Sequence, residues 1–318
     1  MLTGTAKSGP SFDWARRMYC TTSRLLRQGS SLRWRAWLHV FRRHLTVLSL
    51  VVATGLWGCD SDPASIAKQA QTIIRSKDAP RIAAILQADL DRHQKGLSQA
   101  AQRLAPGFVR ARPESIEAEM RTALRLVRSS RRGVPELVIS PLSFLAAVGA
   151  DGQVIAREIE PDPMRGLDVG QRFTMVQSAL AGKFAQGIDS FESDRNSGAA
   201  SWLMAAPAQV EGRTVGALLL GIPLWRLAQR LSKQLQAEAQ AGTVIWAYVY
   251  RGDQLVHHGT PPDVDRIVPT AAVRRAGLAR QPEGFTSGVH KYGYAYAWGV
   301  FPMPVLGPGV GVVVMRME

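Results

Sequence analysis

The residues of this 318-residue chain best suited to nucleophilic or metal chemistry are two cysteines and six histidines. Cys20 and Cys59 alone give no disulfide framework. Of the histidines, His93, His257, His258 and His290 follow Cys59. His257 and His258 are adjacent in a segment that reads as a strand, so their side chains point to opposite faces and cannot share a metal. Asp189, Glu192 and Asp194 in GIDSFESDRNSG crudely imitate a calcium loop. The EF-hand spacing and its terminal glutamate are missing, so a solvated loop is expected. No G-x-S-x-G elbow occurs, and GPGVG at 307–311 lacks the strand-to-helix setting of a nucleotide loop. These observations predict a protein that is not an enzyme, with no cofactor and no metal.

Cys59 remains, and its flanks define it. Leu45–Trp57 (LTVLSLVVATGLW) is almost unbroken apolar and small sequence, preceded by Arg42 and Arg43. A membrane-spanning helix needs about 20 such residues. The run instead has the length of a secretory signal core, about 7–15 residues. Leu56, Gly58 and Cys59 resemble the lipobox of bacterial lipoproteins, from which Trp57 departs because a small residue is usual there. The resemblance implies a lipid-modified Cys59 as mature N-terminus, anchored in the cell envelope and facing the periplasm, with inner and outer membrane both open. The basic leader before Leu45 is long for a signal, and a start at Val40 would give an ordinary one.

Net charge is +14, but nine basic residues and one acidic residue fall within 1–58. Residues 59–318 hold 30 basic and 24 acidic residues, a net +6, with Arg131–Arg132 and Arg274–Arg275 the only adjacent basic pairs. So modest and scattered an excess predicts solvated faces and no nucleic-acid partner.

After the leader, three stripes of helical period appear. Pro63 opens the first, with Ile66, Ala70, Ile73 and Ile74; past Asp78–Ala79–Pro80 it resumes through Ile82, Leu86, Leu97 and Leu104. These two predict one long helix kinked at the proline and interrupted at Pro106–Gly107. Pro113 opens the third, through Met120, Leu124 and Val127. Strands are predicted at 144–148, 154–159, 201–209 and 214–222, paired across Asp151–Gly152 and Glu211–Gly212. A short helix bears Phe173, Val176 and Leu180, and a longer one follows Pro223. Strands at 244–250 and 254–258, a helix at 271–279 and strands at 285–289, 294–301 and 310–315 repeat the same order. The spacing of the two series is about 100 residues, typical of a domain repeat.

The first series carries a family resemblance. FLAAVGADGQVIAREIEPDPMRGLDVGQRFTMVQSALAGKFAQG and SWLMAAPAQVEGRTVGALLLGIPL resemble the Cache domains of bacterial extracytoplasmic sensors. The marks are Asp151–Gly152, Gly166-x-Asp168, Arg172–Phe173, Ala181–Gly182, Ala206–Pro207, Gly212 and Gly216. They span about 137–235, and the second series follows in element order. The resemblance implies an α+β fold: a long N-terminal helix or helices, then two PAS-like (Cache) modules with antiparallel sheets. The domains expected are a leader over 1–58, a helical region over 59–136, a first module over 137–241 and a smaller second module over 242–318.

In such modules a small ligand lies between the sheet and the helix over it. Arg172, Phe173, Trp202 and Met204 are the candidate lining, with Arg172 able to meet a carboxylate or other anion. Asp189 and Glu158 are the alternative protein partners for Arg172. Equally open is that Phe173 and Trp202 are core and Arg172 a surface charge. Amino-acid-binding members carry a fuller arginine–tryptophan–tyrosine motif, so no amino acid is assigned. The expected function is a ligand-binding, sensor-type lipoprotein that carries no output domain and reports to a separate membrane partner. The alternative is a structural or interaction lipoprotein whose Cache fold binds no ligand.

Overall fold

A computed structural model describes residues 62–112, 114–138, 144–191, 200–257 and 259–318. Ser61–Glu318 form one compact unit. Asp62 caps the first helix, its carboxylate accepting from Ala64 N at 3.2 Å, and Pro63 follows where a missing N–H costs nothing. This helix, α1 (Pro63–Ile73), passes through a π-helical turn, Ile74–Asp78, just before Pro80, into α2 (Ala79–Arg110). Pro106–Gly107 does not interrupt α2, as the sequence suggests it would. The turn beyond is held by packing: a side chain on Gly107 would meet Met120 at 2.8 Å, and Phe108 lies against Gly216. Tertiary contact here overrides the local preference of proline. α3 (Ile116–Val127) and a short α4 (Pro135–Val138) complete the helical part.

The first sheet contains β1 (Phe144–Gly149), β2 (Val154–Arg157), β3 (Ala185–Asp189), β4 (Ser201–Val210) and β5 (Arg213–Pro223). α5 (Thr174–Leu180) lies between β2 and β3, and α6 (Leu224–Ala237) leads out of β5. The second sheet contains β6 (Val244–Arg251), β7 (Gln254–Val256), β8 (Phe285–Lys291), β9 (Tyr294–Pro302) and β10 (Val310–Met317). Its helices are α7 (Pro262–Asp265) and α8 (Ala271–Arg280). The strand orders are β2-β1-β5-β4-β3 and β7-β6-β10-β9-β8. Every strand pair is antiparallel. The two orders superpose element for element, so the repeat read in the sequence is one of structure: an α+β chain of two PAS-like modules behind a long helix. β3 had no counterpart among the expected strands, and β7 ends at Val256, which leaves His257 beyond the strand.

Each sheet buries both faces, and residue parity sorts them. On the first sheet Leu145, Ala147, Trp202, Met204, Leu218 and Leu220 join the core built around α2. The opposite face, with Phe144, Ala146, Val148, Leu203, Ala205 and Leu219, is covered by Phe173 and Val176 at α5. The second sheet likewise gives Ile245, Ala247, Val249, Val312 and Val314 to the helix side. Tyr248, Tyr250, Tyr296, Val300, Val313 and Met315 go to the other, under Val264 and Val268. One continuous core along α1, α2 and α6 therefore holds both sheets.

Candidate functional site

The face of the first sheet beneath α5 carries an aromatic cluster flanked by two arginines. Phe173 stands at the N-cap of α5 and is fully buried. Phe191, just past β3, packs edge-on against Phe173 (4.8 Å between centroids) and against Phe144 (5.5 Å). Arg172 is exposed, its guanidinium 5.4 Å from the Phe173 ring centre, and Nη2 donates to Ser190 O at 2.7 Å. Arg157 lies 5.0 Å from the Phe144 ring centre. It pairs with Ala146 across β1–β2 and so shares that face. Its backbone N–H is fixed by Asp162 Oδ2 at 2.7 Å, while its Nε is buried with no hydrogen-bond partner in the protein. A guanidinium in this state favours an anion that can complete its donors.

The two expected carboxylates are engaged by other groups. Glu158 is buried and committed elsewhere: Arg128 Nη1 donates to it at 2.5 Å and Leu145 N at 3.0 Å. Asp189 accepts from Ser190 N at 2.8 Å.

Trp202 and Met204 do not join Arg172 and Phe173. Both lie on the opposite face of the sheet, in the core against α2. Alternation along β4 shows that the two share a side, but the sequence does not say which helix that side meets. Trp202 Nε1 donates to Gln186 Oε1 at 2.6 Å, and Gln186 Nε2 donates to Val305 O at 3.0 Å, between β9 and β10. The Trp202 ring meets the fully buried His93 edge-on at 6.3 Å. Burial, with Arg230 and Arg92 adding repulsion, lowers His93 to about 4. Arg157, Phe144 and Phe191 were not identified from sequence; the one available signal was an arginine inside the apolar run VIAREI.

Further polar groups lie on the outer face of the second sheet. Tyr248 donates its hydroxyl to Asp265 Oδ1 at 3.2 Å, His257 Nε2 is 3.4 Å from Asp265 Oδ2, and Thr260 Oγ1 is 2.8 Å from His257 Nδ1. Burial pushes the Tyr248 phenol well up and that of Tyr250 up to about 12. Arg274 is buried and spent on backbone: Nη1 donates to Pro269 O and Nη2 to Asp253 O, both at 2.9 Å. This arrangement pins the β6–β7 turn to α8. The alternating aromatics of β6 and β9 largely pack, as a half-buried sheet requires.

Two ion pairs fix the long helix. Asp89 pairs with Arg230 of α6, and Asp78 of the π-turn accepts from Arg316 Nη1 of β10 at 2.9 Å. Burial raises both carboxyls above their ordinary range, and the paired guanidiniums oppose the shift. Between the start of α2 and the β9–β10 connection lies an open cavity of about 640 Å³, lined by Arg75, Ala83, Glu283, Phe301 and Met303 among others. Among the described residues, no three His, Cys, Asp or Glu side chains are placed to hold a metal ion. No described helix is long and apolar enough to cross a membrane. Cys59, Glu192, Asp194 and His258 lie outside the described residues.

No protein-family model matches the sequence, and no curated protein does. Among solved structures the chain is similar to the sensor domain of the Vibrio cholerae histidine kinase DctB. Identity is 13% and the TM-score 0.49, over 80% of this chain and 97% of that one. It is also similar to the ligand-binding domain of the Pseudomonas aeruginosa amino acid chemoreceptor PctC in complex with GABA. Here identity is 16% and the TM-score 0.46, over 79% of this chain and 100% of that one. The ligand-binding domain of the Campylobacter jejuni chemoreceptor Tlp3, in complex with L-valine, gives 12% identity and a TM-score of 0.45. That likeness covers 81% of this chain and 97% of that one. These structures are sensor and ligand-binding domains.

Proposed function

We propose that this chain is an extracytoplasmic, sensor-type ligand-binding protein, held to a membrane by lipid on Cys59. Its site is the arginine-flanked aromatic cluster of the first module. The observation that carries the reading is Arg157, whose buried Nε lacks a partner while its guanidinium lies on Phe144. A small anion with an apolar body suits that arrangement: its charge meets Arg157 and Arg172, and its body displaces or covers Phe191. Such a site resembles ligand pockets in general, apolar with a few convergent polar groups. The proposal takes residues 1–58 as a removed leader, 59–136 as the helical region, 137–241 as the first module and 242–318 as the second. It assigns signal output to a separate membrane partner, and no catalytic role.

A thermal-shift screen with small mono- and dicarboxylates and phosphates tests the binding claim. A ligand at a hundredfold excess over Kd adds about 2.7 kcal/mol of stability. The shift must shrink in Arg157→Ala and in Arg172→Ala at the same ligand concentration. A second reading, a structural lipoprotein with no ligand, is favoured by Phe191 itself, since its ring already occupies the space over Phe144 and Phe173. No shift with any class of anion, together with unchanged melting of the two arginine variants, would establish that reading instead.

A further inference from the structure

We propose that the tip of the β8–β9 hairpin, Lys291–Tyr294, is a contact with the lipid bilayer surface. The inference rests on the proposed anchoring through Cys59 and adds the orientation of the second module.

Direction along α1 places the tip. A side chain on Gly299 would meet Ile74 at 2.7 Å, and one on Gly288, which pairs with Ala297, would meet Ala67 at 3.0 Å. Running α1 backward from Ile74 to Ala67 thus moves along β9 toward the hairpin tip. Asp62 lies about 7 Å beyond Ala67 at 1.5 Å per helical residue. The tip lies about 13 Å beyond Gly288 at 3.3 Å per strand residue. The hairpin therefore overshoots the start of α1 by about 6 Å on these spacings. Cys59 stands three residues before Asp62, a span of at most about 11 Å of extended chain. A bilayer entered by lipid at Cys59 is within reach of the tip.

Composition at the tip suits that surface. Tyr292 and Tyr294 are 54% and 51% exposed, and Lys291 Nζ lies 5.1 Å from the Tyr292 ring centre. His290, next to Lys291 in the chain, is exposed, while Glu318 at the same end donates its backbone N–H to Ala295 O and is paired with Arg316 at 2.9 Å. Tyrosines with nearby cations are the side chains enriched where a membrane meets water. Local backbone preference does not account for them. Tyr292 has φ +54° ahead of Gly293, a left-handed position that favours glycine or asparagine. The equivalent two-residue turn at β4–β5 holds the charged Glu211, φ +50°, ahead of Gly212. An exposed aromatic in a conformation its backbone disfavours has neither burial nor turn geometry to explain it.

The test uses the full chain with Cys20→Ser, coupled through the Cys59 thiol to sparse maleimide lipids in phosphatidylglycerol–phosphatidylethanolamine vesicles. Tyrosine nitration is read by peptide mass spectrometry, with acetylation of the exposed Lys183 in the first module as control. The expected result is at least fivefold lower nitration of Tyr292 and Tyr294 on vesicles than in the uncoupled chain, with Lys183 unchanged. Equal nitration in both states overturns the proposal. Protection that arises in concentrated lipid-free solution assigns the tip to a second copy of the chain and also overturns it. Absence of an acyl group on Cys59 of the cell-made protein strikes the anchoring reading alone, because the chemical tether replaces it in this assay.

Discussion

Lowering the pH from 7.5 to 4 is expected to remove about 3 kcal/mol of stability through His93 alone. The side chain is wholly buried between α2 and Trp202, and its pKa falls from 6.5 to about 4, chiefly by burial and secondarily by Arg230 and Arg92. In the unfolded chain it takes a proton at about its ordinary value. Between these limits the unfolded state binds more protons than the folded one, so stability rises with pH through that window and falls on acidification. Two and a half pH units of displacement, half-titrated at the lower end, give the figure of about 3 kcal/mol. For a body of this size that is about 6–12 °C in Tm.

The assay is the difference between wild type and His93→Leu in calorimetric Tm across pH 7.5 to 4. The variant loses the ring contact with Trp202 at every pH but is spared the acid-dependent part, so the two curves converge toward pH 4. Asp78 and Asp89 act in the opposite sense. Their folded-state values are raised by burial, so what they contribute is present at low pH and lost as pH rises through those values. Because both residues are present in both proteins, the difference isolates His93. Parallel curves would refute the reasoning and place His93 where a proton is stably accommodated.

Arg157→Ala and Arg172→Ala should each weaken binding of an anionic ligand by about 1.5–3 kcal/mol, the range for a charge-assisted hydrogen bond, as read by calorimetric titration. Asp78→Ala strands the buried Arg316 with Glu318 alone. It should cost about 3–5 kcal/mol in urea unfolding, whereas Asp78→Leu with Arg316→Met should recover most of the loss. Gly221→Ala drives a methyl group to 2.1 Å from the Phe144 ring. About 1–3 kcal/mol of destabilisation is expected from such overpacking, and weaker ligand binding with it, since Phe144 supports Arg157.

Hydrophobic periodicity carried most of the architecture. The stripes at Ile82, Leu86, Leu97 and Leu104 and the paired turn at Glu211–Gly212 encode their elements locally, and those elements formed where expected. What failed was decided at a distance. Pro106 reads as a break because proline lacks a donor, yet Phe108 against Gly216 and Gly107 against Met120 carry the helix past it. Ala185–Asp189 has weak strand propensity and becomes β3 through its pairing with Ser201–Ala205.

The same distinction governs the candidate site. Arg172 and Phe173 are sequence neighbours at a helix start, so their proximity is written in the chain. Whether Trp202 joins them depends on which face of β4 meets α5, and a one-residue change in register would reverse that answer. The structure turns Trp202 toward His93 and turns Leu203 toward Phe173. Arg157 could be seen in sequence only as a charge in a strand that needed none. Its meaning comes from Ala146 opposite and Phe144 two residues earlier on β1, contacts made across a hairpin and invisible to any helical or strand period. Local pattern locates an element and its buried face. The chemistry of a site on a sheet depends on what the facing helix and neighbouring strand bring, and this arginine pair is assembled from both.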